Sequence, residues 1–156
     1  DNVVRFAKYI KNRFPNIQVG IIDALVAKGE EYRSVYRQLV ESMAEENLKL
    51  DYIHLDFPME KASRNWKNLK QAEDFIKNEL GIRVGVTYTS SKGGMASSKA
   101  WQENVLKAYR EYYAAGGRPD DLLIMSWYTY PRYNLPEKEP YTFMNTVLIF
   151  ARLIES

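Results

Sequence analysis

Two aspartates, Asp23 and Asp56, lie at the ends of two short apolar runs that read as β-strands, and Pro58 stops the second run. Neighbouring parallel strands are about 4.8 Å apart and end at the same edge, so two such carboxylates can lie within roughly 5–8 Å. That range overlaps the separation that sugar hydrolysis requires of a carboxylate pair. Glu60 adds an acidic group after Asp56. The pattern predicts a carboxylate site led by Asp56, with Asp23 and Glu60 as further candidates.

Each of these residues also has a structural interpretation. Asp23 is out of phase with Gly20 on an ideal strand, so it could instead cap the next helix or accept a loop N–H. Asp56 could equally satisfy loop amides. His54 is the single histidine and shares a strand face with Asp56. It could orient a carboxylate, bind a sugar hydroxyl or serve as an interior histidine, and we treat it as a candidate substrate-binding residue.

Aromatic residues gather at and beyond the end of the fourth predicted strand, in the segment Ser126–Tyr133. Flat aromatic faces stack on the apolar faces of sugar rings, and tyrosine hydroxyls supply hydrogen bonds. The alternative is a hydrophobic plug, because Trp and Tyr often simply fill space. The aromatic residues that we predict to bind substrate are Tyr88, Trp127, Tyr128 and Tyr130.

Composition excludes several other classes of site. The chain has no cysteine and one histidine, so we predict no metal and no cofactor. A net charge of +2 without a basic stripe argues against nucleic acid, and no apolar run approaches the ~20 residues that span a membrane. Ser90–Gly94 lies between a predicted strand and a helix but lacks the order of a phosphate-binding loop, although Lys92 and Gly93 leave a phosphate ligand as an alternative.

Helical and strand patterns alternate along all 156 residues. This order is typical of right-handed βαβ units around a parallel sheet. We therefore predict a single α/β domain over residues 1–156, built from four βα units. The predicted strands are Ile17–Asp23, Asp51–Phe57, Ile82–Tyr88 and Leu122–Tyr128.

Four parallel strands can form half of a TIM-type barrel or an open parallel sheet. Because side chains alternate between the two faces of a strand, the small and polar residues of the predicted strands gather on one face. Such a face is expected of a barrel interior near its opening. The loops that follow strands are also long and aromatic, whereas those that precede strands are short. Both features favour the half-barrel. The residues of that face are Gly20, His54, Asp56, Arg83, Gly85 and Thr87.

The chain resembles the C-terminal half of a glycoside-hydrolase-like (β/α)8 barrel in the style of clan A. The resemblance rests on Gly20–Leu25, His54–Pro58, Gly85–Tyr88 and Ser126–Tyr128, and it spans nearly the whole chain. It implies that the four strands correspond to the fifth through eighth of a barrel, and that Trp127 forms the floor of a sugar subsite.

The sequence departs from that family at its catalytic glutamates. The acid/base glutamate follows the fourth strand in such barrels, which would precede this chain. Thr87 and Tyr88 occupy the place of the nucleophile. The resemblance therefore implies a domain that acts on or binds a poly- or oligosaccharide and leaves open whether it is a glycosidase or a non-catalytic binding barrel.

The same resemblance sets expectations about partners. Carbohydrate is the expected ligand, which favours a secreted or periplasmic protein. A four-stranded half-barrel has two open edges. We therefore expect closure either by a second copy in a homodimer or by an N-terminal half outside this sequence.

Overall fold

The computed structural model describes residues 2–24, 29, 31–57, 65–90 and 93–155. Helices and strands alternate along these residues. The helices are α1 (Asn2–Arg13), α2 (Tyr32–Glu45), α3 (Trp66–Asp74), α4 (Ser98–Ala114) and α5 (Phe143–Glu155). The strands are β1 (Gly20–Asp23), β2 (Tyr52–Leu55), β3 (Arg83–Tyr88) and β4 (Asp121–Ile124). The last turn of α3 widens into a π-helical turn, Phe75–Glu79, and a 3₁₀ turn, Gly93–Met95, precedes α4.

The four strands form one sheet in the order β1-β2-β3-β4. Strands β1, β2 and β3 pair in parallel, and the N–H groups of Asp120 and Met125 donate to the carbonyls of Val84 and Tyr88 across the β3–β4 boundary. A doubly wound sheet reverses its strand order, whereas a TIM-type barrel does not. The prediction of four βα units forming half of a TIM-type barrel is therefore confirmed.

The first and fourth strands are shorter than predicted. The predicted first strand began at Ile17, which is 42% exposed and follows a turn at Pro15 and Asn16. The predicted fourth strand extended to Tyr128, yet β4 ends at Ile124. A prediction from apolar character alone starts the first strand too early and ends the fourth too late. The reason is that an apolar residue in a turn or loop gives the same sequence signal as one in a strand.

The two faces of the sheet differ in burial. Residue pairing aligns Ile53 with Val84 and Leu55 with Val86, and all four side chains are at most 1% exposed. The alternate positions carry small or polar residues and Ile22, which is 57% exposed. Because side chains alternate along a strand, this less buried face corresponds to the interior face of a barrel.

The chain divides into two compact units. The first comprises Asp1–Phe57, Lys67–Val86 and Pro119–Asp121, and the second comprises Pro58–Trp66, Thr87–Arg118 and Leu122–Ser156. The largest buried side chains of the first unit are Tyr36, Met43 and Phe75, and those of the second are Tyr88, Trp101 and Tyr112. The prediction that residues 1–156 form a single domain stays a prediction.

The carboxylate of Asp120, the residue before β4, binds the backbone of β3. Asp120 Oδ2 accepts a hydrogen bond of 2.9 Å from the Val84 N–H, and its Oδ1 lies 3.0 Å from Lys77 Nζ. Partial burial by itself raises the pKa of Asp120, but these two contacts and the positive charges of Lys77 and Arg83 together lower it below its usual value.

We expect Asp120→Asn to destabilise the protein by about 1 kcal/mol at neutral pH, because the charged hydrogen bonds are weakened. The folded-state pKa lies below the unfolded one, so this stabilisation is present at neutral pH and is lost as the pH falls through the folded-state pKa. Urea unfolding of both proteins between neutral and acidic pH measures the difference. Glu103→Gln, at an exposed position of α4, is the control, and an equal loss in both variants would contradict the assignment.

Candidate functional site

Asp56 lies one residue beyond the end of β2, at the carboxyl end of the strand. Its N–H donates to the carbonyl oxygen of Asp23 at 2.8 Å, which holds the two strand ends together. The side chain is half-buried, and burial raises the pKa of the Asp56 carboxyl. A carboxyl group of raised pKa can hold a proton at a higher pH than an exposed one, as a general acid requires.

Asp23 is the last residue of β1 and pairs with Leu55, whose side chain lies on the buried face of the sheet. Its carboxylate lies beside the phenol of Tyr36 in α2. Burial, followed by the negative charge of Asp23, strongly raises the pKa of the Tyr36 phenol, which therefore stays protonated. Since Asp56 follows Leu55, alternation directs the two aspartate side chains to opposite faces. The structure brings their backbones together but not their side chains.

His54 is the third residue of β2 and forms a cluster with Arg83 and Asp121, the first residues of β3 and β4. Its Nε2 lies 3.3 Å from Oδ2 of Asp121, and its ring stacks on Tyr52 with centroids 4.3 Å apart. Arg83 pairs with the other carboxylate oxygen of Asp121. Sequence reasoning missed Asp121, although Arg83 on the same strand face as His54 is a cation that can pair with a carboxylate. Because its ring already has Asp121 and Tyr52 as partners within the protein, these contacts support a structural role for His54.

Tyr88 ends β3 and is 1% exposed. Its ring packs against Tyr109 of α4 and Phe150 of α5, with centroids 5.8 and 5.6 Å away. The side chain is therefore part of the apolar core of the second unit. The structure does not place it with the exposed aromatic residues that follow β4.

Three aromatic side chains of the segment Ser126–Tyr133, which follows β4, are exposed: Trp127 by 63%, Tyr128 by 51% and Tyr133 by 64%. The loop that carries them is held at two points. The Ser126 hydroxyl lies within hydrogen-bonding distance of the carbonyl of Tyr130, and the Arg132 N–H donates to Ser98 Oγ at 3.0 Å. Tyr130 itself is half-buried. These contacts leave the rings of Trp127 and Tyr128 accessible to a ligand on a loop with fixed ends.

Two hydroxyl groups near the end of β3 were not predicted as functional. The Oγ1 atoms of Thr87 and Thr89 are buried and make no hydrogen bond to the described part of the chain. Buried hydroxyls of this kind can donate to, or accept from, a ligand hydroxyl. The alternation of Arg83, Gly85, Thr87 and Thr89 along one strand face is the sequence signal that could have identified them.

Some predictions fall outside the described residues, namely those for Glu60 and for Lys92 of the phosphate alternative. Among the residues that are described, no group of three His, Asp or Glu side chains could hold a metal ion. Within the same residues, no helix combines the length and the apolar character that crossing a membrane requires.

Two solved structures of one enzyme resemble the chain. An intracellular xylanase from Thermoanaerobacterium saccharolyticum has a TM-score of 0.56 at 16% identity, and the match covers 83% of this chain and 42% of the xylanase. A mutant of that xylanase in complex with xylotetraose gives a TM-score of 0.55 with the same identity and coverage.

This chain thus spans less than half the length of the xylanase. No protein-family model matches the sequence, and no curated protein does so. A likeness at 16% identity is one of fold, and it agrees with four βα units that form half of a TIM-type barrel.

Proposed function

We propose that the chain is the C-terminal half of a clan A-like glycoside hydrolase barrel and that it acts on or binds a poly- or oligosaccharide. The observation that carries this proposal is the half-buried carboxyl group of Asp56 at the carboxyl end of β2. Reacting groups of TIM-type barrels lie at the carboxyl ends of their strands. The raised pKa of Asp56 suits proton transfer to a leaving sugar oxygen.

In this proposal Asp56 is the leading acid/base or substrate-binding carboxylate. Asp23 supports it through the backbone, because its carbonyl oxygen accepts the Asp56 N–H. Glu60 is the remaining acidic candidate, four residues further along the chain. Trp127 and Tyr128 stack on sugar rings, and Tyr130 belongs to the same loop.

A non-catalytic carbohydrate-binding barrel is the second candidate. It is supported by the two residues at the end of β3, Thr87 and Tyr88, which stand where clan A barrels carry their nucleophilic glutamate. A threonine hydroxyl without an adjacent base is a weak nucleophile. Under this alternative the segment Ser126–Tyr133, the aromatic loop, binds sugar, and Asp56 forms hydrogen bonds with sugar hydroxyls.

Calorimetric titration of the chain with xylotetraose, cellotetraose and maltotetraose tests sugar binding directly. We expect Trp127→Ala to weaken the best of these complexes by about 1–2 kcal/mol, or about 5–30-fold in Kd, through the loss of one stacking face. Because Trp127 is 63% exposed, the variant should unfold at the temperature of the parent.

Phe6→Ala is the matched control for this titration, since Phe6 is equally exposed, at 63%, but lies on α1. It should leave sugar affinity unchanged. A parent chain that binds none of the three sugars would count against the proposed function. An equal loss of sugar affinity in the two variants would show that Trp127 is not part of the binding site.

A further inference from the structure

The N-terminus of α5 binds the end of the aromatic loop. The first N–H groups of a helix have no partner within the helix itself. In this protein the N–H of Phe143 donates to the Tyr133 carbonyl at 3.0 Å, and the N–H of Met144 donates to the Asn134 carbonyl at the same distance. Because Tyr133 is the last residue of the aromatic loop, these two bonds fix the loop backbone at its C-terminal end.

Thr142, the residue before α5, bonds both to the helix and to the segment that leads into it. Its Oγ1 accepts the N–H of Asn145 at 3.1 Å, as the side chain of an N-cap residue does, and donates to the Pro136 carbonyl at 2.9 Å. The preceding residue, Tyr141, has φ of 65°, a left-handed conformation that is costly for a residue with a side chain. Such a conformation persists where the surrounding contacts enforce it. The chain that enters α5 is therefore tightly constrained.

Two amide side chains link this constrained segment to α4. Asn145 Nδ2 donates to the Glu137 carbonyl at 2.9 Å. Asn145 Oδ1 accepts a hydrogen bond of 3.0 Å from Nε2 of Gln102, which is 6% exposed and also donates to Thr146 Oγ1 at 2.9 Å. An amide can present either its oxygen or its nitrogen to a neighbour. Because Gln102 presents donors here, it directs the Asn145 oxygen toward α4 and the Asn145 nitrogen toward the Glu137 carbonyl.

We propose that Gln102 and Asn145 are positioning residues for the aromatic loop, and that they set the affinity of the chain for sugar through the backbone that they hold. Both amides and the whole aromatic loop belong to the second compact unit. Gln102 is buried, so it acts on the exposed rings of Trp127 and Tyr128 only through these hydrogen bonds. The inference deepens the proposed function and rests on it for the identity of the ligand.

A loop that is already held in its binding position loses less conformational entropy when sugar binds. If the loop leaves that position, binding has to restore it, and the observed affinity falls by the fraction of molecules in which the loop is in place. Mutations that release the loop should therefore weaken sugar binding without changing any group that contacts sugar.

Asn145→Asp removes one contact of this network and keeps the others. The aspartate still accepts the hydrogen bond from Gln102, and a negative charge in the first turn of α5 favours the helix. It cannot donate to the Glu137 carbonyl, so two oxygen atoms would face each other at that position. The Glu137 carbonyl should therefore leave its place while α5 stays folded.

Amide hydrogen exchange, followed by NMR, measures release of the loop in the absence of sugar. We expect the N–H groups of Phe143 and Met144 to exchange about fivefold faster in Asn145→Asp, which corresponds to the usual net strength of one hydrogen bond. Amides in the middle of α4 should keep their rates, because the opening is local. Asn2→Asp is the control, since it makes the same change at an exposed position in the first turn of α1 and should leave the Phe143 and Met144 rates unchanged.

Calorimetric titration with the tetrasaccharide that the parent binds best tests the link to sugar. We expect Asn145→Asp to weaken binding by about fivefold. Gln102→Met keeps a side chain of similar length but removes the donor to Asn145, so it should act in the same direction in both measurements. Asn2→Asp should bind sugar like the parent.

Parental sugar affinity in a variant whose Phe143 and Met144 amides exchange faster would overturn the positioning role. Unchanged exchange of these amides in both Asn145→Asp and Gln102→Met would overturn the hold of the two amides on the loop. A parent chain that binds no sugar would overturn the proposed function and, with it, the role in sugar binding. Because exchange is measured without sugar, that failure is distinguishable from a failure of the loop contacts.

Discussion

Asp56→Asn is expected to lower oligosaccharide hydrolysis by about 10²–10⁴-fold, the usual contribution of a general acid or base. The amide keeps the size of the side chain but cannot transfer the proton. Affinity for the same sugar should change little, because an amide still forms hydrogen bonds with sugar hydroxyls. Initial rates at saturating sugar, together with calorimetric Kd values for both proteins, separate the effect on turnover from the effect on binding.

The same variant should not lose stability. Burial raises the folded-state pKa of Asp56, so the proton binds the native state more tightly than the unfolded chain. The resulting stabilisation is full below the unfolded-state pKa and is lost as the pH rises through the folded-state pKa. At neutral pH the parent therefore holds a half-buried charge at some cost, and the neutral amide removes that cost. Urea unfolding of the two proteins at neutral pH should show the variant to be at least as stable as the parent.

Two further variants serve as controls for the turnover measurement. Asp74→Asn changes a half-exposed helix carboxylate that pairs with Lys70, and it should leave turnover unchanged. Asp23→Asn should also retain turnover, because Asp23 contacts Asp56 through its backbone carbonyl, which the substitution leaves in place. A parent chain without any turnover would favour the non-catalytic alternative, and equal loss in Asp23→Asn would contradict the assignment of Asp56 as the leading carboxylate.

Tyr88→Ala is expected to destabilise the chain by about 3–5 kcal/mol, as the removal of a large buried aromatic side chain usually does. Tyr88 is 1% exposed and packs against Tyr109 and Phe150, so the truncation leaves a cavity that these rings cannot fill without moving. Urea or thermal unfolding measures the loss.

Tyr88→Phe separates packing from hydrogen bonding. It keeps the ring and should cost far less than Tyr88→Ala, while sugar affinity should follow the folded fraction of each variant. A folded Tyr88→Ala protein that has lost sugar binding would restore Tyr88 as a substrate-binding residue. The comparison thus decides between the sequence-based prediction for Tyr88 and its position in the core.

The sequence by itself determined the class of fold. Alternating helical and strand patterns, and a strand face with Gly20, His54 and Gly85, predicted a half-barrel of four parallel βα units, which the strand order and register confirm. These signals are local, because periodicity reports which residues of one element share a face. For the same reason the sequence identified Asp56 as a carboxylate near the end of the second predicted strand.

The tertiary structure decided which side chains meet. Strand register turned Asp23 toward Tyr36, set His54 against Asp121, and sent Tyr88 into the core rather than toward the aromatic loop. Partners such as His54 and Asp121 lie 67 residues apart, and no local pattern records their contact. Pairing of distant strands fixes these contacts, because a shift of one residue in register exchanges the faces of every side chain on a strand.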